Sequence, residues 1–222
     1  MWPLSKDDMA CIDKLIWTIA ILCLISLTSC SDDDGADVPS LVKDFMLVST
    51  DSEGLAKRTA LDNGIVYDVS AQKLKVADKK TVVRVMGTYT LNGGVMTVYG
   101  MEHVYCHAAY PADSIRVIKN GQVLTGAEHL PHDPVKLISV WKSGSFVNIY
   151  AGVMTNGDFS SQCVFSEDSV GHYSLVHKRN SKDDEAYTKK VYLSMPVPRN
   201  VDRVTFSLNT YDGWVTKVFK WK

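Results

Sequence analysis

Val82-Val83-Arg84-Val85-Met86-Gly87-Thr88-Tyr89-Thr90-Leu91-Asn92-Gly93-Gly94-Val95 is the stretch that decides the fold of this chain. Val83, Val85, Tyr89 and Leu91 fall on one face of an extended strand, and Arg84, Thr88 and Thr90 on the other, a period of two that no helix produces. Asn92-Gly93-Gly94 supplies residues that tolerate positive φ. The chain therefore reverses there and returns through residues 95–105 as the second strand of a hairpin.

The same signals recur on both sides of this hairpin. Asp62-Asn63-Gly64, Asn120-Gly121, Asn156-Gly157-Asp158 and Asp212-Gly213 mark turns at short intervals, with β-branched and aromatic runs of strand length between them. Val147, Ile149, Ala151 and Val153 alternate with their neighbours. So do Val204, Phe206 and Leu208 against Arg203, Thr205, Ser207 and Asn209. No segment sustains an apolar stripe of helical period, and the fold class is all-β.

Glu128-His129-Leu130-Pro131-His132-Asp133-Pro134 breaks the pattern, because two prolines remove ladder hydrogen bonds and nothing alternates. Residues 127–134 read as a linker. Before it lie five strand candidates, at residues 45–49, 65–69, 82–91, 95–105 and 115–118, a number that suits a small OB-like β-barrel over residues 43–126. After it lie seven, at residues 135–141, 146–153, 162–165, 173–177, 189–195, 203–210 and 215–221, which suit a β-sandwich over residues 135–222.

The first 42 residues belong to neither. Residues 15–27 follow Lys14 and are apolar except for Thr18 and Ser26. This run is shorter than the roughly 20 residues a spanning helix needs, and has the length of a signal-peptide core. Leu27-Thr28-Ser29-Cys30 then reads as the end of a bacterial lipoprotein signal peptide, residues 1–29, with Cys30 as the acylated first residue of the mature chain. Asp7, Asp8 and Asp13 are unusual in the leading segment, and a start at Met9 removes part of that oddity. Ser31-Asp32-Asp33-Asp34-Gly35-Ala36-Asp37 has no apolar residue to join a core and repels itself, so residues 30–42 form a flexible acidic tether. The run lacks the alternating ligand spacing of a calcium loop. The membrane is thus the first partner, held through lipidated Cys30.

Residues 1–30 carry Lys6 and Lys14 against Asp7, Asp8 and Asp13, so their removal takes the chain from 24 basic and 25 acidic residues to 22 of each. A neutral body without a basic patch argues against nucleic acid, and no phosphate-cradling glycine motif with a following lysine occurs. Of the five cysteines only Cys30, Cys106 and Cys163 survive processing. Cys106 and Cys163 read as structural residues, with a bridge between them left open by an oxidising envelope.

Several stretches resemble one family. Val140-Trp141-Lys142-Ser143-Gly144-Ser145-Phe146-Val147-Asn148-Ile149 is similar to its tryptophan strand, small-residue turn and Asn-bearing strand. Leu175-Val176-His177-Lys178-Arg179-Asn180 with Asp183-Asp184 is similar to its Leu-x-His-basic-Asn stretch, and Val191-Tyr192-Leu193-Ser194-Met195 to a short apolar strand. Leu61-Asp62-Asn63-Gly64 and Val83-Arg84-Val85 are further matches in the first domain. In this the chain resembles the NigD-like lipoproteins of Bacteroidetes, which pair an OB-like domain with a β-sandwich. The resemblance implies an envelope lipoprotein with a bacteriocin-immunity-like role, and a toxin or envelope protein as partner. The acidic run after Cys30 is similar to the surface-export signal of such lipoproteins, which implies an outer-membrane, surface-exposed location.

No arrangement of residues points to catalysis, a cofactor or a metal. His103 and His107 share a strand face in Glu102-His103-Val104-Tyr105-Cys106-His107, but Cys106 points away from them. Pro131 breaks the helix that a zinc-protease reading of Glu128 to His132 requires. His177 has no serine or cysteine nucleophile placed for it by a recognisable motif, and reads as the end of a strand that holds the following turn through Asn180 or an aspartate. Among the aromatics Trp141, Tyr150, Tyr173, Tyr211, Trp214 and Trp221, most suit a sandwich core. Tyr211-Asp212-Gly213-Trp214 is a turn at the sandwich edge, and Tyr211 and Trp214 are the candidate binding residues. The reading is a non-enzymatic envelope protein that recognises another macromolecule; the alternative is a carbohydrate-binding module of a surface glycan system.

Overall fold

The computed structural model describes residues 40–70, 73–155, 162–179 and 187–221; the signal segment, Cys30, the acidic run, the 156–158 turn, Asn180, Asp183 and Asp184 lie outside them. Five strands open the fold: β1 (Val42–Thr50), β2 (Ala56–Leu61), β3 (Val66–Val69), β4 (Val82–Asn92) and β5 (Val95–Cys106). β1 pairs antiparallel with β2 and β4, β2 with β3, and β4 with β5. A parallel pairing of β3 with β5, Asp68 opposite Val95, closes the ring into an OB-like barrel. Met46, Val48, Val85, Tyr89, Met96 and Val98 fill it. The deciding hairpin is β4–β5, turned by Gly93 and Gly94 at φ 57° and 81°.

Three features of the barrel differ from the sequence reading; the fifth strand candidate, residues 115–118, is not part of it, since residues 117–119 pair only with residues 122–124 in a separate hairpin. Ala56–Leu61 forms a strand although its residues carry little β preference, because β1 and β3 supply its ladder from both sides. The polar face of β4 is not solvated: Arg84 through Gly87 are buried on both faces.

Short elements follow: β6 (Tyr110–Pro111), a 3₁₀ turn at Ala112–Ser114, the hairpin β7 (Val117–Lys119) and β8 (Gln122–Leu124), and a second 3₁₀ turn at Ala127–His129. The sandwich is built from β9 (Lys136–Ser143), β10 (Phe146–Thr155), β11 (Cys163–Ser169), β12 (His172–His177), β13 (Tyr187–Pro196), β14 (Arg203–Thr210) and β15 (Gly213–Lys220). One sheet runs β13-β10-β9 and continues the barrel, since β13 pairs in parallel with the end of β5, Tyr192 opposite Val104. The other runs β15-β14-β12-β11-β6. Val147, Ile149 and Leu193 from the first meet Phe165, Leu175, Phe206 and Leu208 from the second. Each such side chain contributes roughly 1.5–3 kcal/mol by leaving water.

The proline-marked segment is built into the second sheet. The His177 amide donates to Pro131 O and the Asp133 amide to His177 O, on the β12 side. The Val135 amide donates to Asn209 O and the Tyr211 amide to Val135 O, on the β14 side. Residues 131–135 thus wedge between β12 and β14 where those strands diverge. Cys106 is half-buried and Cys163 buried, and both are free thiols; burial pushes the Cys163 thiol up to about 12, which makes it an inert apolar filler.

Candidate functional site

The barrel packs its outer face, on β1, β4 and β5, against the outer face of β9, β10 and β13. At the centre of that junction is Arg84. β4 aims its side chain out of the barrel, and the sandwich covers it to 1% exposure. Its Nη1 and Nη2 donate to the two oxygens of Asp62 at 2.8 Å each, a bidentate pair from the β2–β3 turn. Nε donates to Ser194 Oγ at 2.9 Å, and Nη2 also reaches Asn148 Oδ1 at 3.0 Å. Ser194 donates to Asn148 Oδ1 at 2.6 Å, Asn148 Nδ2 donates to Ser143 Oγ at 2.8 Å, and Ser143 donates to Asp62 Oδ2. The Phe146 ring lies 3.6 Å from the guanidinium carbon, a cation–π contact in a dry setting. Every member of the ring is partnered, the condition under which a buried charge is tolerated.

Around this polar centre Phe45 meets Trp141 and Tyr192 edge-on at 5.4 and 5.6 Å, while Met86 and Val104 close the apolar rim. Gly144 sits in the β9–β10 turn at φ 51°, where a Cβ would stand 2.7 Å from the Asp62 backbone carbonyl oxygen; only glycine lets that turn approach the main chain at Asp62. A cleft of about 190 Å³ opens beside Asp62, lined by Asp44, Phe45, Leu61, Asn63, Trp141 and Ser143. Ligand pockets usually measure roughly 300–1,000 Å³, so it admits a side-chain tip rather than a substrate. The arrangement fixes the two halves to each other. The five polar members lie in four separate stretches of the sequence, none of which shows locally that they meet.

The sequence-chosen binding residues lie elsewhere, at the far end of the sandwich. Tyr211 is 53% and Trp214 58% exposed, on either side of the β14–β15 turn. The Trp214 ring is braced edge-on by His132, 5.0 Å between centroids. His132 in turn is held by Nδ1 against Leu175 O at 3.0 Å and by its own carbonyl, which accepts from Asn209 Nδ2 at 2.7 Å. Glu128 and His129 pair with each other at 3.5 Å, away from His132's contact with Trp214. Among the described residues no cluster of three potential metal ligands occurs. Tyr173 is core, Trp141 and Tyr150 are half-buried, and the Trp221 indole donates to Gly144 O at 3.0 Å.

His177 ends β12 as expected, but what it holds is the preceding wedge. Its Nδ1 lies 2.9 Å from Asp133 O, an atom that only accepts, so Nδ1 carries the proton; the Arg179 amide donates to Asp133 Oδ2 at 2.8 Å. Nε2 is buried and has no partner among the described residues. Burial therefore pushes the imidazole below its ordinary 6.5, the Asp133 backbone pulling the other way less strongly. Between 6.5 and that lower value the unfolded chain binds a proton that the folded chain does not, so stability falls as the pH drops. Melting temperature is expected to decline from pH 7.5 to 5.5 more steeply in the wild type than in His177→Gln. The group's limiting slope is about 1.4 kcal/mol per pH unit. Parallel profiles for the two proteins would show that His177 is accessible to protons in the folded state.

The closed five-stranded barrel continued into a sandwich defines a known class of fold, the NigD-like fold of Bacteroidales proteins. A NigD-like immunity protein from Bacteroides caccae shares it, with 24% identity and TM-score 0.58 over 83% of this chain and 99% of that one. A Parabacteroides distasonis protein provisionally named toxin-related matches at 13% identity and TM-score 0.63, over 82% and 93% of the two chains. A Bacteroides fragilis protein provisionally named a lipoprotein matches at 11% identity and TM-score 0.52, over 83% and 99%. At these identities the likeness is one of fold. No protein-family model and no curated protein sequence matches the chain.

Proposed function

We propose that this chain is a NigD-like lipoprotein, anchored in the cell envelope through Cys30, whose barrel and sandwich recognise another macromolecule without transforming it. The observation that carries this reading is the buried Arg84–Asp62 junction, which joins two β modules into one body of fixed shape. A surface built across two modules is useful for recognition only if their relative position is held, and pre-organisation of this kind reduces the entropy lost on binding. The lipoprotein reading of residues 1–30 supplies the address, and the acidic run after Cys30 supports placement on the outer surface. A bacteriocin-like toxin is the specific partner proposed, on the strength of the shared fold with a protein named for immunity.

The test is capture. The mature chain, immobilised, is exposed to envelope and secreted extracts of its own bacterial community. Retention of one protein at moderate salt, weakened by surface substitutions and unaffected by detergent, is the expected result. A chain that retains no macromolecule overturns the recognition reading.

A further inference from the structure

The outer face of the second sheet is open along β14 and β15. On it Trp214 stands opposite Asn209, and the next row pairs Thr216 with Ser207, whose hydroxyls meet at 2.9 Å. One strand further in, Ser174 is the parallel partner of Ser207, and its hydroxyl is buried without a hydrogen-bond partner among the described residues. We propose that this face is a binding platform for a neutral oligosaccharide, with Trp214 as the stacking surface and the Asn209–Ser207–Thr216 group as its hydrogen-bonding floor.

Four properties of the face select that ligand class. The indole is 58% exposed yet fixed from behind by His132, so it offers a flat apolar surface whose orientation is already set. Ser207 and Thr216 bond to each other, and as hydroxyls each keeps further capacity to donate or accept. Rows two residues apart lie about 6.8 Å apart along a strand, so a ring stacked on Trp214 places its neighbour over the hydroxyl row. These two rows carry no ionisable side chain. Ionisable side chains stand outside these two rows, at Asp212 in the turn, His172 beside Thr205, and Arg203 opposite Lys220, so an uncharged polyol matches the platform better than an anion or a basic peptide. The inference names a ligand class for the recognition role proposed above, and stands or falls separately from the toxin partner.

The mature chain is titrated calorimetrically with maltohexaose, cellohexaose, xylohexaose and mannohexaose, with oligogalacturonate as the charged control. Saturable binding of at least one neutral hexaose is expected, weakened at least tenfold in Trp214→Ala and abolished in Ser207→Arg, with circular dichroism unchanged in both. Absence of binding to all four neutral sugars overturns the proposal. So does binding that survives both substitutions, or a preference for the acidic control. Sedimentation at high protein concentration adds one more outcome: a dimer that dissociates on Trp214→Ala assigns the face to a second copy of the chain and overturns the sugar. A protein captured equally well by wild type and Trp214→Ala, without sugar binding, leaves the recognition reading standing while this one fails.

Discussion

Asp62→Ala is expected to destabilise the protein by about 3–5 kcal/mol, because it strands a guanidinium in a site with 1% exposure. Ser194 Oγ and Asn148 Oδ1 still accept from Arg84, but neither carries the charge that balances it. Ser143 also loses the acceptor for its hydroxyl. Total stability of a domain is typically about 5–15 kcal/mol, so the loss takes a large share of it. Urea denaturation with an unchanged slope and a lower midpoint is the expected signature. A second variant separates the unpaired charge from the loss of the junction itself. Asp62→Leu combined with Arg84→Met removes both charges and keeps apolar volume, and it is expected to be more stable than Asp62→Ala, as buried pairs replaced by apolar groups usually are. An Asp62→Ala protein within 1 kcal/mol of wild type would mean that water reaches Arg84, and the fixed-body basis of the proposed function would go with it.

The strands were legible because their burial alternates locally: Val204, Phe206 and Leu208 announce β14 whatever lies around them. β2 was not, since Ala56–Leu61 owes its extended form to β1 and β3 rather than to its own side chains. The junction was illegible for a different reason. Arg84 on the polar face of a strand looks like a solvated residue until a second module covers it, and its partners lie 22, 64 and 110 positions away. Pattern reading has no reach over such separations. The prolines misled in a physical way as well. Pro131 contributes only its carbonyl to the wedge, so the missing N–H that argues against a strand is never required there. Trp214 was legible from its turn, whereas its brace, His132, was hidden inside the segment read as a linker.

Cys30→Ala is expected to move nearly all of the protein from the membrane to the soluble fraction and to abolish fatty-acid labelling. Each acyl chain contributes about 0.8 kcal/mol per buried CH₂, and two or more chains make attachment stable where one is marginal. Without the cysteine there is no thiol at that position to acylate. No helix among the described residues is long and apolar enough to cross a membrane, and the open face around Trp214 mixes its one indole with hydroxyls and an amide. The uncleaved precursor still carries residues 15–27, but that run falls short of the roughly 20 apolar residues that span a bilayer. A carbonate wash therefore distinguishes the two modes of attachment. Wild type stays in the pellet and Cys30→Ala is released. A variant that resists the wash would show that the apolar run anchors the chain by itself, and the lipoprotein reading would give way to an uncleaved signal anchor. Because the first strand begins only at Val42, the folded body is expected to melt at the same temperature in wild type and Cys30→Ala.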